Sequence, residues 1–155
     1  MAGHTDNSIV INAPMDLVWD MTNDVENWPN LFTEYSETEI VSRDGVTFNF
    51  RLTMHPDEQG RIWSWVSQRT PDRENLRVRA HRVGTGAFKW MNLQWEFLQE
   101  PDGVRMRWVQ DFELKPDAHT DDPSMQEHLN KTTRNQMAHI KEIVEKTAAN
   151  RGATS

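Results

Sequence analysis

Arg61-Ile62-Trp63-Ser64-Trp65-Val66-Ser67-Gln68-Arg69-Thr70 is the stretch whose reading decides the fold. Turn-forming residues bracket it, with His55-Pro56-Asp57-Glu58-Gln59-Gly60 before it and Pro71-Asp72-Arg73 after it. A run rich in Trp, Ile and Val between such marks predicts one β-strand. Successive strand side chains point to opposite faces. Trp63, Trp65, Ser67 and Arg69 therefore share one face, and Ile62, Ser64, Val66 and Gln68 the other. Two indoles, a hydroxyl and a guanidinium suit neither a dry core nor a water-facing surface. Arginine keeps its charge, and an unpaired buried charge is costly. One resolution is a cavity with indole walls and Arg69 presented to its contents. The other is ordinary core tryptophan, with Arg69 snorkelling to solvent at the strand end.

The neighbouring segments alternate in the same way. Residues 35–43 read as a strand, and Asp44-Gly45 is a hairpin signal. In residues 46–54, Phe48, Phe50, Leu52 and Met54 oppose Thr47, Asn49, Arg51 and Thr53. Residues 76–83 set Leu76, Val78 and Ala80 against Arg77, Arg79 and His81, before Gly84-Thr85-Gly86 breaks the run. Residues 88–98 put Met91, Leu93, Trp95 and Phe97 on one face. Residues 104–114 do so with Met106, Trp108, Gln110, Phe112 and Leu114. Such alternation belongs to an antiparallel sheet packed on one side.

Before the meander, residues 7–12 read as a short strand and Ala13-Pro14 opens a helix over residues 15–23. A second short helix is expected over residues 25–28, stopping at Trp28-Pro29 because a residue before proline is pushed out of the helical region. After a polar loop, Pro123 opens a long helix to about Thr147, capped by Asp121 or Asp122, with a frayed tail over residues 148–155. Its expected inward stripe is Met125, His128, Leu129, Thr132, Gln136, His139 or Ile140, and Ile143. That stripe is mixed at its start and aliphatic at its end. The mixed end is a second pointer to a cavity, because its polar atoms need partners. The order predicts an α+β, helix-grip domain. In it a curved seven-stranded antiparallel sheet surrounds a long C-terminal helix, two short helices follow strand 1, and a cavity lies inside.

With 155 residues, one domain spanning 1–155 is expected. There is no cysteine, which removes disulfides, thiolate nucleophiles and Cys-ligated metals, and fits a cytoplasmic location. The N-terminus has no signal-peptide pattern, and no apolar run is long enough to span a bilayer. A net charge of −7 disfavours nucleic acid and anionic membranes as partners. Arg73, Arg77, Arg79 and Arg82 form the densest basic run, readable as a carrier-protein patch or as a solvated strand face. Seven Trp beside one Tyr points to a large aromatic-lined core or pocket.

No metal site is expected. His128 and His139 lie about 16 Å apart along their helix. What remains is an aromatic cavity bearing a cation and hydroxyls. Arg69 suits stabilisation of a developing oxyanion. Tyr35, Ser67 and His128 are candidates for moving protons or holding carbonyls, each with a purely structural alternative.

Together, Asn12-Ala13-Pro14, Leu17-Val18-Trp19-Asp20, Thr22-Asn23-Asp24, Trp28-Pro29, Leu31-Phe32, Glu34-Tyr35, residues 63–69, Arg79 to Val83, Met91-Asn92 with Trp95, Met106 to Gln110, and His128-Leu129-Asn130 form a specific pattern. The chain resembles the single-domain aromatase/cyclases of bacterial type II polyketide pathways, of the tetracenomycin and spore-pigment kind, within the Bet v 1/START-like superfamily. The resemblance implies a cytoplasmic enzyme with no cofactor. Its partners would be an acyl carrier protein, bearing the poly-β-ketone substrate, and the minimal polyketide synthase. It implies first-ring aldol closure, C9 to C14, followed by dehydration to an aromatic ring, with closure of a second ring left open. Arg69 becomes the key catalytic residue and Tyr35 its assistant, while Ser67, Gln110 and His128 hold carbonyls or waters. Trp28, Phe32, Trp63 and Trp65 shape the pocket, as do Arg82, Phe88, Met91, Trp95 and Trp108. Gly86-Ala87-Phe88-Lys89-Trp90 departs from the Gly-Pro-Phe-x-Tyr expected of such enzymes, and Trp90 is expected outside the pocket. The competing reading is a non-catalytic carrier of hydrophobic ligands or a chaperone of the polyketide chain.

Overall fold

The computed structural model describes residues 2–83, 86–118 and 120–154. Gly84 and Thr85, at the expected break after the fifth strand, lie outside the described residues. The chain runs β1 (Gly3–Ile11), α1 (Met15–Asn23), a 3-10 turn (Val25–Asn27) and α2 (Trp28–Leu31). It continues through β2 (Tyr35–Asp44), β3 (Thr47–Met54), β4 (Ser64–Asp72), β5 (Arg77–Arg82), β6 (Phe88–Glu100) and β7 (Gly103–Leu114) to α3 (Asp122–Thr154). All seven strands form one antiparallel sheet in the order β1-β7-β6-β5-β4-β3-β2. The alternation of residues 46–54 and 104–114 is reproduced as alternating burial along β3 and β7. No helix among the described residues is long and apolar enough to cross a membrane.

α3 lies along the edge strand β1. Gln126 accepts from the His4 backbone N–H, Asn130 from the Asn7 amide, and Glu145 from the Asn12 backbone N–H. Arg134 donates to Asn7 and Lys141 to the Val10 carbonyl. Residues 126, 130, 134, 141 and 145 recur at helical spacing, so one polar stripe covers a strand edge that would otherwise be free to pair. A second stripe faces the sheet, with Thr133, Gln136, Met137, Ile140 and Val144 buried. This corrects the expected stripe at its centre: Gln136 and Ile140 hold, while Thr132, His139 and Ile143 are only partly covered. One residue turns a helix by about 100°, and the polar stripe on β1 sets a phase that apolar spacing alone does not reveal.

Three boundaries differ from expectation. β1 starts at Gly3, paired with Phe112. α3 continues to Thr154, beyond the end at about Thr147. Trp28 is helical (φ −57°, ψ −31°) although Pro29 follows, and Pro29 sits in the first turn of α2. Proline is tolerated there because that turn's N–H has no helical partner, and burial of Trp28 against the aromatic core favours the geometry. At the helix start, Asp121 accepts from the Ser124 N–H at 2.8 Å and serves as the expected cap.

The closed end of the grip is aliphatic. Ile11, Val18, Val104, Met106, Ile140 and Val144 are fully buried, and Trp19 meets Phe97 edge-on at 5.3 Å. Gly103 turns β6 into β7 there with φ +144°, and a Cβ on it would stand 2.3 Å from the Ile11 carbonyl oxygen. Gly103→Ala is therefore expected to lower the unfolding free energy by about 2 kcal/mol, read as a lower denaturant midpoint at unchanged slope. An unchanged midpoint contradicts this packing.

Candidate active site

Arg69 projects from β4 between Phe48 of β3 and Ala80 of β5, its partners in register. Ala80 leaves room for the long side chain, and Arg69 is 2% exposed. Its Nε and Nη2 donate to Asn23 Oδ1 at 3.2 and 2.9 Å, and Nη2 also reaches the Thr22 carbonyl at 3.3 Å. These acceptors stand at the C-terminal end of α1, where helix carbonyls favour a cation. The guanidinium carbon lies 4.3 Å from the Trp95 ring centre and 5.1 Å from that of Trp28. Arg69 makes no ion pair among the described residues. Burial pulls its pKa down to about 9, against a smaller upward push from Tyr35. It is therefore charged at neutral pH without a carboxylate partner.

A second arginine repeats the pattern. Arg82 is half-buried, with its guanidinium 4.3 Å from the Trp65 ring and 4.6 Å from Phe88. Burial lowers its pKa to about 10. Tyr35 feels both cations. Burial nevertheless raises its phenol well above the ordinary value, with the adjacent Glu34 carboxylate adding to the rise. Glu34 is itself raised by burial. The phenol is thus protonated at neutral pH and can donate a hydrogen bond.

Stacked rings fill the space beside Arg69. Trp95 and Trp108 lie 4.2 Å apart and 11° from parallel, Trp28 stacks on Trp95 at 5.9 Å, and Phe32 stacks on Trp108 at 5.9 Å. The rings expected to wall an open chamber pack on each other here. Cavities of about 430 and 330 Å³ lie elsewhere, and Arg69 lines neither. Trp108 is 4% exposed, and its Nε1–H is a buried side-chain donor with no partner among the described residues. An unmet buried donor costs about 1–3 kcal/mol, so this N–H is available to a ligand oxygen.

The other expected site residues divide. Gln110 is buried, and its Oε1 accepts from Thr5 at 2.8 Å and Thr133 at 3.3 Å, tying β7 to β1 and α3. Ser67 is buried on the Arg69 face, but its hydroxyl donates to the His81 carbonyl. Phe88 and Met91 share a face although their numbers differ in parity, because a bulge lies between Phe88 and Trp90. They pack with Phe112 and Leu114 under the start of α3, apart from the indole stack. Trp90 is exposed, as expected.

Two expectations are corrected. His128 is exposed on α3, because the helix turns the Leu129–Thr133 side inward. Trp63 is 47% exposed and lies just before β4, where its Nε1 donates to Asp57 at 3.0 Å and Arg61 covers its ring. Asp57 also accepts from the backbone of Gln59 and Arg61, and this turn draws Trp63 out of the strand's parity.

The family model described as "Polyketide cyclase / dehydrase and lipid transport" matches residues 11–141. A protein of Streptomyces cyaneus, provisionally named a polyketide cyclase, is 57% identical over 148 residues, covering 96% of this chain and 97% of that one. The chain belongs to the polyketide cyclase/dehydrase family. A second provisionally named polyketide cyclase, from Streptomyces halstedii, is 65% identical over 109 residues, covering 70% of this chain and 100% of its own. The crystal structure of the Zhui aromatase/cyclase from Streptomyces sp. R1128 superposes with a TM-score of 0.79 at 19% identity, covering 97% and 96% of the two chains. A START superfamily protein from Mycobacterium smegmatis shares the fold at a TM-score of 0.70. The architecture is the helix-grip fold of the Bet v 1/START-like superfamily.

Sequence reasoning missed three parts of this candidate site. Asn23 and Thr22 hold Arg69, and Glu34 faces Tyr35. The available signal was the demand of a buried guanidinium for acceptors, which a helix end supplies. Because Tyr35 is the only tyrosine, its ionisation can be followed directly. Ultraviolet difference spectra are expected to show no phenolate at pH 10 in the folded protein, with ionisation arriving only at higher pH or on unfolding. Half-ionisation near pH 10 in the folded state contradicts the buried, Glu34-facing phenol.

Proposed function

We propose that this protein is an aromatase/cyclase acting on a poly-β-ketone chain carried by an acyl carrier protein. It directs first-ring aldol closure, C9 to C14, and dehydration to an aromatic ring. The observation that carries the reading is Arg69, a buried cation with neutral partners among aromatic rings. A lipid carrier gains nothing from such a charge, whereas a reaction that builds an oxyanion in a dry site does.

The chemistry needs no oxidant. A methylene between two carbonyls gives up a proton to water, and the enolate oxygen carries the charge. The enolate carbon attacks a carbonyl carbon further along the chain, one C–C bond forms, and the resulting alkoxide takes up a proton. Loss of that hydroxyl with a neighbouring hydrogen expels water, and enolisation completes the ring. Arg69 stabilises the oxyanion, with Arg82 as a second cation beside Tyr35. Protonated Tyr35 donates to the alkoxide, and Glu34 is the carboxylate beside it. Trp108 Nε1–H can hold one chain carbonyl, and the indoles part to admit the chain between flat walls. Confinement then selects one folding of a chain that cyclises many ways when free.

The test is a product profile from a minimal polyketide synthase run alone, with this protein, and with its Arg69→Ala form. Wild type is expected to divert products to C9–C14-cyclised aromatics. Arg69→Ala is expected to fold and to lose about 10²–10³-fold in rate. Arg69→Lys is expected to fall with it, since lysine lacks the planar fork that Asn23 and Thr22 grip. A wild type that leaves the spontaneous mixture unchanged overturns the enzyme reading.

A further inference from the structure

Asn23 is the last residue of α1 and stands directly behind Arg69. Its amide is oriented by two opposed demands. Nδ2 donates to the Trp19 carbonyl at 3.0 Å, and Oδ1 thereby faces Arg69, accepting from Nε and Nη2. The Thr22 carbonyl beside it accepts from both Arg69 Nη2 and Trp28 Nε1. The end of one short helix thus sets the guanidinium and one of its flanking indoles together. In Asn23 it uses a side chain that can donate backwards and accept forwards while carrying no charge. An aspartate has the same shape and would grip arginine more strongly. It would also cancel the cation and turn an oxygen towards the Trp19 carbonyl.

We propose that Asn23 is a positioning residue that fixes the Arg69 guanidinium between Trp28 and Trp95 while leaving its positive charge uncompensated for a substrate enolate. This rests on the oxyanion role given to Arg69 above and adds a requirement to it: the holder must be a neutral acceptor. Asp24, next in the chain, is exposed and, among the described residues, makes no hydrogen bond or ion pair with Arg69.

The experiment uses the full chain and a probe that needs no polyketide synthase. Benzoylacetone, a 1,3-diketone, has distinct enol and enolate absorption. Wild type is expected to raise the enolate fraction of the bound diketone above that in buffer at the same pH. Asn23→Asp, folded by circular dichroism and thermal melting, is expected to lower the bound enolate-to-enol ratio by about tenfold or more, because a negative charge beside Arg69 opposes the enolate. Asn23→Ala keeps the charge but frees the guanidinium. It is expected to retain part of the shift and to slow cyclisation through kcat more than through KM. A wild type that leaves the diketone in its solution spectrum overturns the inference. So does an Asn23→Asp protein whose spectrum matches wild type. Should the spectral effects appear while the product profile stays at the spontaneous mixture, the cyclase reading fails and the positioning role stands.

Discussion

A charged guanidinium in a dry interior, held only by neutral acceptors, is the constraint on which the rest of the structure depends. Arg69 would be costly where it is without the Thr22 carbonyl, the Asn23 amide and two indole faces. These supports come from three elements. α1 supplies the acceptors, α2 supplies Trp28 and β6 supplies Trp95, while Ala80 on β5 gives the side chain its lane. The two short helices after β1 therefore do more than cover the sheet. They bring a helix end against the middle of β4.

The remaining architecture separates two kinds of interior. At one end, aliphatic side chains of β1, β7 and α3 close the grip tightly. Further along, the aliphatic filling gives way to Trp28, Phe32, Tyr35, Trp95 and Trp108, rings that stack on one another. Polar ties mark the junction. Gln110 joins Thr5 and Thr133, and Gln136 donates to Thr33 at 2.6 Å while accepting from its backbone N–H. These ties hold α3 over the aromatic region without filling it with aliphatic side chains. Among the described residues, the buried and unpaired Trp108 N–H is a side-chain donor whose cost a ligand would offset.

Much of this was legible in the residue pattern because strands write their two faces into period two. The alternation of Phe48, Phe50 and Leu52, and of Met106, Trp108 and Gln110, places those side chains inside, where they are buried. Arg69 stood out because its parity put a charge among indoles. Parity failed at Trp63, where the Asp57 turn delays the start of β4 to Ser64, and at Phe88, where a bulge resets the count. His128 was misplaced because α3 carries two stripes, one for the sheet and one for the edge of β1, and the apolar pattern locates only their average. Asn23 had no periodic signature. Its role depends on where the end of α1 lands against β4, which is a property of the whole fold.

The most direct test of the central claim is the charge state of Arg69, followed by carbon-13 NMR of its guanidinium Cζ and assigned by comparison with Arg69→Lys. A buried cation with neutral partners is predicted to be protonated at pH 7, with burial drawing its pKa below that of a solvated guanidinium. Titration together with the surface arginines would mean that water or a carboxylate compensates its charge, and the site described here would lose its basis.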